Sequence, residues 1–491
     1  MWSDKLLAAV MQKGYSAAWP GQMKEAFDDL YGSPGGRYPA SAKSLVEVRA
    51  PERQGSDDDI GVPFASLIHP SNPKSGPYGG MSIAIFPGDE SPSLLSFVVG
   101  TNGLAPDEAI LGRPGHARKV KAICAWLNRK YGKKALRAWA KQEPSRVDQP
   151  IPENTAVQFP QYSRVFNRYG NVLYGIFFPD RDSALEALTA FLDLMFEERG
   201  VLPLAPFRGE SERIRQEWLE CLLPEASEQN VLELLRARRY VILQGPPGTG
   251  KTRMAQELIR NRYEGRGRTI QFHANTTYED FVGGLAPLEG KGDLGFRFAP
   301  KKGHLIVASE EAKKEAKPYL LHVDEINRAD MSKVLGEAIF LLEPDDKIPR
   351  EITLSYDFGD PFGNKLRLPE NLHIIGTMNS ADRSLAVVDV AVRRRFAFKK
   401  LWPQMGVVRE GGCETMQRAF RDLVTIFVEH ASDDSFDLMP GHSYFLEADD
   451  VAARQRLKVT LEPLLEEYLA QGYVASFAEP LRSYLQWIDS L

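Results

Sequence analysis

The sequence predicts an α/β architecture: a parallel sheet carrying its working loops at the strand ends, an α+β region ahead of it, and a mostly helical region behind. Three observations point there. From about residue 213, the short apolar runs VILQ, TIQFH, YLLHVDE and LHIIGTMN each end in polar residues and alternate with helical segments. That alternation is the pattern of a parallel sheet with function at the carboxyl ends of its strands. Upstream, SIAIF (82–86) and LLSFVVG (94–100) flank the turn PGDESPS and read as paired strands. A break in composition at GVLPLAPFRGES (200–211), with its prolines and glycines, separates the two textures. The expected domains are 1–205, 206–400 and 401–491, the last mostly helical.

The first domain opens on MWSDKLLAAVMQKGYSAAWPGQ, an amphipathic helix better than a leader, since no cleavage site follows the small apolar stretch. RPGHARKVKAICAWLNRKYG predicts a helix with Ala117, Val120, Cys124 and Leu127 inward. Residues 164–178 predict two more strands, and DSALEALTAFLDLMFEERG (182–200) a helix closing at Gly200. In the second domain, LAPLEGKGDLGFRFAP (285–300) and REITLSYDFGDPFGNKLRLP (350–369) interrupt the alternation and read as β-hairpins.

Composition bounds the function classes. At 43% hydrophobic and 26% charged the chain is an ordinary globular one, and its apolar runs are too short to span a bilayer, so a cytoplasmic protein is expected. Cys124, Cys221 and Cys413 lie far apart without a CxxC, which argues against a disulfide framework or a zinc site. The net charge of −5 suggests no nucleic-acid role by itself, but residues 113–146 hold eleven lysines and arginines against one glutamate.

The strongest motif is VILQGPPGTGKT. A strand runs directly into Gly245, Pro246, Pro247, Gly248, Thr249, Gly250, Lys251 and Thr252, and a helix follows. Glycines let backbone N–H groups turn inward around a phosphate, and the helix N-terminus adds positive potential. Lys251 is placed to reach the β- and γ-phosphates and Thr252 to hold Mg²⁺. YLLHVDEINRAD supplies the acidic pair at a strand end: Asp324 for the Mg²⁺ shell, Glu325 to orient and deprotonate the attacking water. LHIIGTMN ends on Asn379, a polar residue for the γ-phosphate or the water, with Asp382 as a second candidate beside it. Arg393, Arg394 and Arg395 follow too far along the chain to belong to the same pocket. Phosphoryl transfer gains most from an arginine aimed at the developing charge, so one or two of them are expected to reach a neighbouring subunit's site.

These strings, with FHANTTYEDFVGGLAP, HVDEINRADMSKVLGEAIFLLE and GHSYFL, come in the order seen in McrB-type AAA+ proteins, the nucleotide-driven motor subunits of modification-dependent restriction systems. The resemblance covers about 213–475. It implies an AAA+ parallel-sheet core with a C-terminal helical lid, Walker A at Gly245–Thr252, Walker B at Asp324 and Glu325, sensor 1 at Asn379, and subunit-bridging roles for Arg394 and Arg395. Ser380 stands where the family's NTAD has threonine and keeps the hydroxyl. The resemblance further implies a hexameric ring, GTP in preference to ATP, and a separate McrC-type nuclease partner, with no cutting by this chain itself. The phosphate motifs are blind to the base, so the guanine expectation rests on the resemblance alone.

In that family the N-terminal domain binds DNA, sometimes through a modified base. The candidates here are Arg118, Lys119, Lys121, Arg129, Lys130, Lys133 and Lys134 within the basic block, with Trp126, Tyr131 and Trp139 interleaved. The alternative is a solvated helix face. GGRYPA and NPKSGPYGG read as binding loops or ordinary turns, and Phe159, Tyr162, Phe166, Tyr169 and Tyr174 as base-pocket wall or core. A MoxR-like chaperone ATPase acting on protein partners remains the competing reading.

Overall fold

The computed structural model describes residues 1–32, 34–51, 61–133, 135–289, 296–343, 350–381 and 389–491. The chain forms two compact units. The first comprises Met1–Leu223 with Val428–Ser432, and the second Pro224–Phe427 with Asp433–Leu491. The boundary therefore falls at 223 rather than at 205. Residues 200–211 are less of a linker than their prolines suggest. Pro206 sits in the first turn of the helix Ala205–Leu222, where its missing N–H has no intrahelical partner to lose. That helix buries Ile214 and Trp218 in the first unit's core.

The first unit is built on an antiparallel six-stranded sheet. Its order is Glu47–Arg49, Ala65–Ile68, Met81–Phe86, Leu94–Val99, Leu173–Phe177, Ala138–Ala140. Both faces are covered, which is why SIAIF reads as a continuous apolar run rather than an alternating one. Successive side chains point to opposite faces. Met81, Ile83 and Ile85 join one core with the helices Trp2–Met11, Pro114–Tyr131 and Ala184–Glu197, whereas Ala84 and Phe86 join a second with Phe159, Tyr162 and Phe178. The strand pair expected within 164–178 is a helix, Ser163–Tyr169, followed by one strand, Leu173–Phe177. Its aromatic residues fit either element, and packing onto the second core selects the helix.

The second unit carries a five-stranded, all-parallel sheet ordered Ala397–Lys400, Tyr240–Gly245, Leu372–Asn379, Tyr319–Asp324, Gly267–Gln271. The first expected hairpin is Gly283–Glu289 against Phe296–Lys302, and the second pairs only Ile352–Thr353 with Lys365–Leu366. After Lys400 the described elements are helical, from Met405–Gly411 to Ala478–Asp489. No described helix is long and apolar enough to cross a membrane.

Candidate functional site

Three adjacent strands bring the site together. In the parallel register Gly245 lies beside Asn379, and Val323 beside Gly376. The phosphate loop, the acidic pair and Asn379 thus leave the sheet at one edge. Gly248 and Gly250 hold φ of 79° and 77°, backbone that a side chain rarely adopts. Gly250 is the N-cap of the helix Lys251–Asn261, whose first N–H groups face the loop. The Thr249 hydroxyl donates to the Pro246 carbonyl at 2.9 Å, and Lys251 Nζ donates to the carbonyls of Gly245 (2.9 Å) and Pro246 (2.7 Å). Burial lowers the Lys251 ammonium to about 8, with Glu325 and Asp324 working the other way.

The Thr252 hydroxyl donates to Asp324 Oδ1 at 2.8 Å, and the Thr377 hydroxyl donates to the same oxygen. A hydroxyl and a carboxylate in contact are hard oxygen donors of the kind Mg²⁺ takes, so the pair fits the ion assigned to it. Glu325 stands at φ 52°, ψ 46°, a left-handed conformation costing a non-glycine residue roughly 1–3 kcal/mol. Its Oε2 is buried, 3.3 Å from Arg328 Nε. Beneath the pair, His322 places Nδ1 3.1 Å from the Thr269 hydroxyl and Nε2 3.8 Å from Asp324 Oδ1, and burial lowers the ring to about 4.

Asn379 Oδ1 accepts from the Ala381 N–H at 3.1 Å, and the Ser380 N–H donates to the Gly245 carbonyl at 3.0 Å, tying this turn to the phosphate loop. Asp382 lies outside the described residues. The arginines stand elsewhere. They end the short helix Val390–Arg395, just before the strand Ala397–Lys400. Ala397 pairs with Val241 and Lys400 with Gln244. Arg395 is therefore level with the start of the phosphate-loop strand, about 20 Å from its end at ~3.3 Å per residue. Arg394 is 73% exposed, with Glu343 Oε2 3.7 Å away, while Arg395 Nη1 donates to the Ala391 carbonyl at 2.8 Å.

One contributor to the site was visible only as a string. In GHSYFL, the Gly441 N–H donates to the Pro247 carbonyl (2.8 Å) and the Ser443 N–H to the Gly248 carbonyl (3.0 Å). A Cβ on Gly441 would lie 2.0 Å from the Gly248 carbonyl carbon, so only glycine fits. His442 is buried with Nδ1 accepting from the Gln404 N–H at 3.3 Å, and Arg456 clamps the turn through the carbonyls of Ser443 and Leu446 at 3.0 Å each. Thr377 was missed as well, because a threonine inside a strand resembles any β-branched filler.

In the first unit, the basic block is divided by its own helix. Val120, Cys124 and Leu127 are buried as expected. So are Arg118 and Lys119, which corrects their assignment to a phosphate-binding face. Arg118 donates to the carbonyls of Val428 (2.8 Å) and Ala431 (2.7 Å). Lys119 pairs with Glu198 at 2.7 Å and Glu429 at 2.6 Å. Burial alone would raise the Glu198 carboxyl, but His116 and Lys119 outweigh it and hold it at about 2. Lys130 pairs with Glu186 and Glu217, and Arg129 with Glu220. Lys121 is half-buried, Lys133 is exposed, and Lys134 lies outside the described residues. In GGRYPA the two large side chains turn inward. Arg37 is buried on Asp193 through Nε (2.7 Å) and Nη2 (2.6 Å), and the Tyr38 hydroxyl donates to the same carboxylate. In NPKSGPYGG, Asn72 closes an ordinary turn onto both backbone groups of Gly79. Phe159, Tyr162 and Tyr174 are core, with Phe166 and Tyr169 packed against it.

The family model of the AAA domain (dynein-related subfamily) matches residues 240–396, from the phosphate-loop strand to the end of the arginine helix. A relative from Escherichia coli (strain K12), the type IV methyl-directed restriction enzyme EcoKMcrB subunit, is 32% identical over 352 residues, 65% of this chain and 75% of that protein. The chain belongs to the McrB family of AAA+ proteins. This McrB-type chain is also 26% identical over 197 residues to the type II restriction enzyme BsuMI component YdiS of Bacillus subtilis (strain 168), covering 33% of this chain and 57% of that one. Superposition on a mutant RuvB of Thermotoga maritima gives a TM-score of 0.26 at 12% identity, over 50% of this chain and 78% of that one, too loose to carry an argument. The McrB-type core is that of a nucleoside triphosphatase.

Proposed function

We propose that this chain is the GTP-hydrolysing motor of a DNA restriction complex, active as a ring, with its first unit on DNA and a separate McrC-type nuclease doing the cutting. One observation supports this reading best. The phosphate loop, Asp324, Glu325 and Asn379 share one edge of the sheet, whereas Arg394 and Arg395 precede Ala397, which pairs with Val241 at the opposite end of the phosphate-loop strand. A triphosphatase that needs an arginine near the transferred phosphoryl then takes it from a second copy.

The chemistry follows from the side chains. Inward N–H groups of the loop and Lys251 hold the β- and γ-phosphates. Thr252 and Asp324 would hold Mg²⁺, which when bound neutralises charge on the β- and γ-oxygens. Glu325 orients a water and takes its proton as the water oxygen bonds to the γ-phosphorus. The bond from that phosphorus to the bridging oxygen breaks, and GDP and phosphate leave. Asn379 hydrogen-bonds the γ-phosphate, and a neighbouring copy's Arg394 and Arg395 offset the charge that builds there. Lys251 binds phosphate as a cation, so affinity for the nucleotide is expected to weaken as pH rises through about 8.

The test is hydrolysis of GTP and ATP by purified protein, with and without methylated DNA and the nuclease subunit. Preference for GTP with stimulation by the nuclease is expected. ATP preference with no effect of DNA would overturn the reading in favour of a protein-remodelling ATPase. Arg394→Ala and Lys251→Ala chains, each inactive alone, are expected to regain activity when mixed. Mixtures that stay inactive at every ratio would remove the arginines from a bridging role.

A further inference from the structure

The sheet hides a hydroxyl that touches both halves of the acidic pair. Thr377 lies on the strand Leu372–Asn379, between the phosphate-loop strand and the acidic strand, and is 2% exposed. Its hydroxyl donates to Asp324 Oδ1, the oxygen that also receives the Thr252 hydroxyl. The same Oγ1 accepts from the Glu325 N–H at 3.3 Å. This chain of contacts runs from the phosphate-loop helix through the carboxylate and the hydroxyl to the backbone of the proposed base. That backbone is the left-handed peptide at φ 52°, and such a conformation persists only where its surroundings over-determine it. Next to Thr377, Gly376 lies under the side chain of Ile326, the residue after Glu325. An apolar side chain would fill the strand position equally well. A buried hydroxyl is retained where both its donor and its acceptor functions are used.

We propose that Thr377 is a positioning residue for hydrolysis: its one hydroxyl fixes the Asp324 carboxylate and pins the left-handed peptide that aims Glu325. The proposal rests on the nucleotide-hydrolysis reading above. Thr377→Val keeps the shape and removes the hydroxyl, and Thr377→Ser keeps the hydroxyl and removes a methyl group.

The full chain and both variants are assayed for steady-state GTP and ATP hydrolysis. A second measurement takes the affinity for a non-hydrolysable triphosphate with Mg²⁺ and with a chelator. Thr377→Val is expected to lower kcat by about ten-fold or more, with KM within about three-fold. It is also expected to shrink the gain in affinity that Mg²⁺ confers, and Thr377→Ser to restore both. Where Thr377→Val does not fold, Thr377→Ala against Thr377→Ser makes the same contrast. Unchanged kcat in a folded variant without the hydroxyl overturns the proposal, as does a serine variant no better than valine or alanine. Wild-type protein that hydrolyses no nucleoside triphosphate overturns the functional reading itself. Active wild type with an equally active Thr377→Val overturns this inference alone.

Discussion

The molecule has two dense clusters of positive charge, and the fold places them differently. The block around the helix Pro114–Tyr131 looks in sequence like a surface for phosphates, yet its helical period turns Arg118 and Lys119 inward, onto backbone carbonyls, Glu198 and Glu429. The three arginines at 393–395 are fewer, and Arg394 stands 73% exposed. A run of like charges along a chain is thus not a patch in space. A long helix distributes its residues round all faces and meets acids from distant segments, and even the six-residue helix Val390–Arg395 divides its cations, Arg394 standing in solvent while Arg395 folds back onto the Ala391 carbonyl.

Perturbing each cluster sharpens that contrast. The largest effect is expected from the arginines: Arg394→Ala with Arg395→Ala is expected to lower kcat by roughly 10³-fold or more and leave the urea midpoint unchanged. Lys119→Met is expected to do the reverse, lowering stability by about 1–3 kcal/mol because Glu198 loses one of its two cationic partners and keeps only His116, with nucleotide turnover per folded chain retained. A loss of turnover without a loss of stability in Lys119→Met would break the comparison.

Acid titration separates the two units on a smaller scale. Burial lowers His373 and His442 to about 4 in the second unit, from 6.5 in the unfolded chain. The unfolded state then binds the extra protons, so stability is full above pH 6.5 and falls as pH drops from 6.5 to 4, by about 3 kcal/mol per ring. Glu198 in the first unit, held at about 2 against 4.5, contributes stability that is lost only below pH 4.5. Hydrogen exchange at pH 5 is therefore expected to show the second unit loosening first. The smallest effect belongs to Arg129→Ala, whose pair with Glu220 is half or more exposed; its removal is expected to cost under about 1 kcal/mol by urea titration.

The legibility of the sequence follows the same division. That Gly245–Thr252, the acidic pair and Asn379 come together was legible, because each follows an apolar run read as a strand and the parallel register brings those strand ends side by side. Arg118, Lys119 and Arg37 could not be read, since their meaning depends on the Val428 and Ala431 carbonyls, Glu198, Glu429 and Asp193, tens to hundreds of residues away. The helix Ser163–Tyr169 was misread as a strand for a related reason: its aromatics suit either element until the second core is known. Thr377 stayed hidden because its role lies in two hydrogen bonds to the neighbouring strand's end, and a strand's composition carries no trace of them.

Gly441 and Gly248 meet backbone to backbone, with no side chain between them as padding. A crossing that tight has no slack. With the Gly441 and Ser443 N–H groups bonded to the carbonyls of Pro247 and Gly248, the backbone that leads into the C-terminal helices is tied directly to the phosphate loop, and a shift of an ångström in one displaces the other.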